Sequence, residues 1–102
     1  MKRDRRAWVK LTTTLAWDRA HCKCELCLEE PDWRGLSGAH IIRRSKGKLS
    51  QDNASNVLIA CAICHDHYRY PTTGLPVSVE EGLALAAKLN ARYSIDPLFE
   101  GK

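Results

Sequence analysis

Asn53-Ala54-Ser55-Asn56-Val57-Leu58-Ile59-Ala60-Cys61-Ala62-Ile63-Cys64-His65 is the stretch from which the fold is read. Val57 to Ala60 form a compact apolar, β-prone run, which predicts a short strand. The run ends in Cys61-Ala62-Ile63-Cys64, and a two-residue gap lets both thiolates point into one tetrahedral metal position. The same spacing stands upstream in Cys24-Glu25-Leu26-Cys27. Two such knuckles, Cys24/Cys27 and Cys61/Cys64, predict one structural Zn²⁺ that closes the loop of residues 28–60. Four thiolates fill the coordination sphere and leave no place for water, so this zinc would be a staple. Cys22 is left over and is expected as a small buried residue.

On the N-terminal side, Gly38-Ala39-His40-Ile41-Ile42 reads as a partner strand, followed by a polar loop from Arg43 to Asn56 that turns at Gly47. Further upstream, Trp8, Leu11 and Leu15 recur at helical spacing, which predicts a helix over about 4–20 with its tryptophans in core or knuckle packing. On the C-terminal side a short helix is expected from near His65, then a loop holding Pro71, Gly74 and Pro76. Ser78-Val79-Glu80-Glu81 is a capping box and opens a last helix with Leu83, Ala86, Leu89 and Tyr93 on one face. The expected fold class is α+β: a single domain over residues 1–102 in which a two-stranded ribbon and a short helix surround zinc, flanked by N- and C-terminal helices.

Composition supports that size of core. The chain is 44% hydrophobic but has one Phe and one Met, so a metal staple would add stability that a small core lacks. No apolar run reaches transmembrane length, and the basic N-terminus is not followed by an apolar signal-peptide region. The reading is a cytoplasmic protein with no membrane partner, in which paired cysteines point to metal and not to disulfides. The net charge of +4 is unevenly spread. Residues 1–10 hold Lys2, Arg3, Arg5, Arg6 and Lys10 against Asp4, and residues 33–51 hold Arg34, Arg43, Arg44, Lys46 and Lys48 with no acid. Clustered positive charge suits a phosphate backbone.

The inner residues His40, Asn56 and His65 stand inside the two knuckles. With Cys24-Glu25-Leu26-Cys27, Ala39-His40-Ile41-Ile42-Arg43-Arg44-Ser45-Lys46-Gly47 and the stretch from Asn53 to His65, the chain resembles the HNH endonucleases, zinc-stapled nucleases with a ββα-metal core. The resemblance covers residues 24–70. It implies a metal-dependent endonuclease or nickase that hydrolyses DNA phosphodiester bonds, leaving 5′-phosphate and 3′-hydroxyl ends. His40 matches the general base, a task that suits imidazole near neutral pH. Asn56 matches the asparagine that ties the loop and orients the base. His65 matches a ligand of the catalytic divalent ion, Mg²⁺, Mn²⁺ or Ni²⁺. Arg43, Arg44, Lys46 and Lys48 would grip the DNA backbone.

Analogy further suggests a phage setting with packaging or restriction partners, and the oligomeric state is left open. Two positions depart from the family's pattern. Ala39 stands immediately before the base, where many members carry a His, Asp or Glu ligand, and Arg69 stands where some carry another. The rival reading is a catalytically inactive zinc module that binds nucleic acid or a protein partner.

Overall fold

The first helix, α1 (Arg5–Asp18), forms because Ala7, Leu11 and Leu15 fall at four-residue steps and are buried together along one stripe. The computed structural model describes residues 5–30, 35–42, 52–62, 64 and 77–101. The turn at Gly47, the short helix expected from His65 and the loop with Pro71, Gly74 and Pro76 lie outside them. α1 ends where His21 and Cys22 take left-handed backbone angles, φ 53° and 61°. The Ala20 and Cys22 amides there bond back to the Leu15 and Ala16 carbonyls. The chain then turns into the first knuckle, which is pinned to the sheet by Glu25 N–H donating to the Ile59 carbonyl at 2.8 Å.

The sheet has two antiparallel strands, β1 (Leu36–His40) and β2 (Val57–Cys61), in the register His40↔Val57 to Leu36↔Cys61. β2 matches the predicted apolar run and is buried on both faces. Val57 and Ile59 join Leu11 and Leu15 of α1 in one core, whereas Leu58 packs with Ile41 and Ala86, and Ala60 with the cysteines. β1 begins two residues earlier than predicted and stops at His40. The reason is local: beyond His40 the ladder continues on a side chain. Ile42 N–H donates to Asn56 Oδ1 at 2.8 Å, and Asn56 Nδ2 donates to the Ile42 carbonyl at 3.2 Å. Gly38 lets α1 cross β1 closely, since a Cβ there would come within 2.6 Å of Thr12 Cγ2.

The second helix, α2 (Val79–Arg92), opens on the expected cap, with Ser78 Oγ accepting from Glu81 N–H at 3.1 Å. Its buried stripe is Gly82, Ala86 and Asn90. Of the predicted face only Ala86 is buried; Leu83, Leu89 and Tyr93 are half-buried flanks. Small residues let the helix approach the sheet, and Asn90 goes inside because it has polar partners there. The tail then returns to α1. Ala54 and Ser55 N–H donate to the Phe99 and Pro97 carbonyls, and Gly101, at φ 82°, sits where a Cβ would meet the Ala7 carbonyl at 1.9 Å.

Arg19 ties these elements together. Its side chain is fully buried, and all five guanidinium N–H groups have acceptors. Two bonds go to the Glu25 carboxylate at 2.7 and 2.8 Å, and the others reach the Ala54 and Val57 carbonyls and Asn90 Oδ1. Glu25 also accepts Ile59 N–H at 2.7 Å, and Asn90 Nδ2 donates to the Ala54 carbonyl at 3.1 Å. Knuckle, sheet and α2 therefore meet on one desolvated, satisfied ion pair. The architecture is α+β, with a cysteine cluster beside the sheet.

Candidate metal centre and active site

The cluster is built from both knuckles. Cys24 and Cys27 come from the turn after α1, Cys61 ends β2, and Cys64 follows it. The four sulfurs lie within 4.8 Å of one another, and Cys27 Sγ is 3.8 Å from Cys61 Sγ. Metal–sulfur bonds of about 2.3 Å in a tetrahedron place sulfurs about 3.8 Å apart, so the group has the geometry to hold a metal ion. The turn is shaped for it: Cys27 N–H points at Cys24 Sγ at 3.4 Å, and Leu28 N–H donates to the Cys24 carbonyl at 2.8 Å. Leu28 takes φ 64° to close this turn.

The electrostatics of the thiols are uneven. Burial pushes the Cys24 thiol up, but backbone N–H groups of Cys27, Cys61 and Leu26 outweigh it and bring it below its ordinary range. Burial pushes Cys27 up, and it pushes Cys64 far up, helped there by the neighbouring cysteines. Crowded sulfurs hold their protons unless a cation replaces them. Cys22 stands apart from the cluster and is half-buried, contrary to the expectation of burial.

His40 ends β1, and three contacts hold it. Its Nε2 is 2.6 Å from Asp52 Oδ1, and the Trp8 ring stacks on it at 4.9 Å with 10° between planes. The strand carrying it is tied to the Asn53–Val57 segment through the Asn56 amide and through Ile41 N–H donating to the Asn56 carbonyl at 2.9 Å. That segment is itself locked. Asn53 Oδ1 accepts from Ser55 N–H and Oγ, while Ala54 is gripped by Arg19, Asn90 and the tail. The Asp52 carboxylate can accept a hydrogen bond from Nε2–H, which holds the ring in one orientation. His40 is partly exposed, 14% by side chain, so solvent reaches the ring.

The structure thus brings together the four cysteines at one place and His40 with Asn56 at another. His65, Arg43, Arg44, Lys46 and Lys48 lie outside the described residues. Sequence reasoning missed Asp52, Trp8 and the Arg19–Glu25–Asn90 group. Asp52 carried a signal, as the first acid after an acid-free stretch. Trp8 carried none beyond a helical stripe, and Trp17, expected in packing, is 58% exposed. Ala39 is 2% exposed and packs with Cys24, Ala60 and Cys64, so this position faces the sulfur cluster. His21 is exposed, its ring tilted on Tyr93.

Among the described residues no helix is long and apolar enough to cross a membrane. No family model, no curated protein and no solved structure matches this chain.

Proposed function

We propose that the chain is a zinc-stapled, metal-dependent nuclease of the HNH type that hydrolyses DNA phosphodiester bonds. The observation that carries the reading is the setting of His40: a carboxylate on Nε2, an indole against one ring face, and a strand end tied by Asn56. A histidine used only for packing has no need of a dedicated acceptor and a locked loop behind it. Zinc is the ion proposed for Cys24, Cys27, Cys61 and Cys64, because four sulfurs at tetrahedral spacing suit it.

In this reading His40 takes a proton from water, the resulting hydroxide bonds to phosphorus, and the bond to the 3′ oxygen breaks. Asp52 keeps the Nε2 proton in place and stabilises the imidazolium that forms, as a carboxylate does for other catalytic histidines. His65 would hold a divalent ion, Mg²⁺, Mn²⁺ or Ni²⁺, whose charge would stabilise the phosphate and the leaving oxygen. Arg43, Arg44, Lys46 and Lys48 would bind the flanking backbone.

The rival is an inactive zinc module, and one observation favours it: the position before His40, where the resemblance implies a second ion ligand, is Ala39, which is buried and offers none. Nicking of supercoiled plasmid with added Mg²⁺, Mn²⁺ or Ni²⁺, by wild type beside His40→Ala, separates the two. Equal cutting by both, or none by folded, zinc-loaded wild type, removes the nuclease.

A further inference from the structure

We infer that the segment after α2, residues 95–101, positions His40: it sets the gap between Trp8 and Asp52, the two side chains that hold the ring, with Phe99 and Gly101 as its positioning residues. This rests on the reading of His40 as the base, and it goes further by giving a part in that site to a segment that follows the last helix.

The two partners of the His40 ring stand on different elements. Trp8 belongs to α1 and stacks on the ring at 4.9 Å, whereas Asp52 leads into the Asn53–Asn56 loop and lies 2.6 Å from Nε2. The ring has one place only while α1 and the loop keep a fixed separation. The segment after α2 touches both. On the loop side, the Phe99 carbonyl accepts Ala54 N–H at 2.9 Å and the Pro97 carbonyl accepts Ser55 N–H at 3.1 Å, close behind Asp52 in the chain. On the helix side, Gly101 is buried against Ala7, the residue before Trp8. A Cβ at Gly101 would stand 1.9 Å from the Ala7 carbonyl oxygen and 2.7 Å from Leu11 N. Between these ends Phe99 packs on the core that Trp8 and Ala54 share.

Covering the core accounts for Ile95 and Phe99, but not for the rest. Gly101 holds φ 82°, which an L side chain disfavours and which costs glycine chain entropy to fix. A cover has no need of that close approach to one turn of α1. Nor does it need its carbonyls turned to a loop whose buried Ala54 N–H must find an acceptor. The segment also fixes its own shape. Ile95 N–H donates to the Asn90 carbonyl at 2.8 Å, Leu98 N–H to Asp96 Oδ1 at 2.9 Å, and Phe99 N–H to the Asp96 carbonyl at 3.0 Å. It is a strut anchored on α2 that joins the Trp8 turn to the Asp52 loop.

The test is NMR of the His40 ring protons in zinc-loaded protein, assigned with His40→Ala, beside plasmid nicking by the same variants. The stacked indole should shift these protons upfield in wild type. Gly101→Ala sets a methyl against backbone that no rotamer change can move, so the strut should lift from α1. In the folded variant the ring should lose most of its upfield shift. Nicking should fall roughly tenfold or more in kcat with KM little changed, since a misplacement of about 1 Å can cost about 10²-fold. Phe99→Leu, the milder change, should act in the same direction and to a smaller extent, and it decides the matter if Gly101→Ala does not fold.

Two controls separate positioning from stability. Ser78→Ala weakens α2, and Leu98→Ala trims a side chain of the same segment that is 72% exposed. Both should keep the wild-type ring shift and kcat in the folded molecule. Wild-type ring shift and kcat in folded Gly101→Ala, or in Phe99→Leu, would overturn the inference and leave the nuclease standing. Equal loss of the ring shift in Ser78→Ala would overturn it too, because any loosening of the fold would then suffice. A ring shift lost in the two strut variants alone, with no cutting by wild type, would keep the positioning and remove the nuclease.

Discussion

Among the described residues α1 and α2 each run for 14 residues, and they have opposite electrical sense. α2 obeys every local rule: Ser78 caps it, Glu80 and Glu81 fill its first turn, and Arg92 stands in its last. α1 has arginines in its first turn, no base in its last, and Asp18 at its end. Each misplaced charge works against the dipole by about 0.3–1 kcal/mol. α2 is thus written by local chemistry, whereas α1 is held against its own charges by Leu11 and Leu15 in the core.

The strongest way to break the contrast is to remove what both helices share. Arg19 follows α1 and reaches Asn90 on α2, so Arg19→Ala should undo both. It would strand the buried Glu25 carboxylate, at a cost of about 3–5 kcal/mol, and urea denaturation should find the variant marginal or unfolded. Removing the proposed zinc would act on the same centre, because Glu25 lies between two of the cysteines. Chelation should lower Tm sharply, and readdition of Zn²⁺ should restore it. In the metal-free protein burial keeps Cys27 and Cys64 protonated, so loading must release those protons. Zinc affinity should therefore rise with pH. A pH-independent affinity in competition titrations would mean that the cluster is not the site.

Next in size is the effect on the proposed nuclease chemistry, which should follow α1 and not α2. Asp52→Asn keeps the shape of the pair but removes the carboxylate that faces the His40 ring. Nicking should fall by roughly 10²-fold, the scale of a disturbed general base, with the melting curve little changed. Trp8→Ala, on α1, should also slow nicking, because the ring loses its stacking partner. Ser78→Ala, on α2, should cost about 1 kcal/mol of stability and leave the rate per folded molecule unchanged. A rate loss in Ser78→Ala equal to that in Trp8→Ala would erase the distinction.

The same contrast explains what was legible in the sequence. α2 and β2 were readable because their signals are local: a capping box in one, a four-residue apolar run in the other. The cysteine cluster was readable because two knuckles of matched spacing admit one meeting place. β1 was displaced by two residues because an asparagine side chain, and not a strand, pairs with Ile42. The α2 face was misjudged at Asn90, whose partners Arg19 and Ala54 are 71 and 36 residues away. Buried polar groups are placed by such distant partners, and periodicity carries no trace of them. Asp52 belongs with these, since only the fold brings it to His40.

The smallest effect sharpens the comparison most. Asp18→Lys and Glu80→Lys add the same charge to the same protein, so any effect of net charge is common to both. Asp18 is exposed at the negative end of α1, and Glu80 is exposed in the first turn of α2. Lysine should therefore favour the first helix and disfavour the second, by about 0.3–1 kcal/mol in each direction. The two Tm shifts should have opposite signs at low salt and shrink together as salt rises, because exposed charges near helix ends are screened. Shifts of one sign would show that overall charge governs stability.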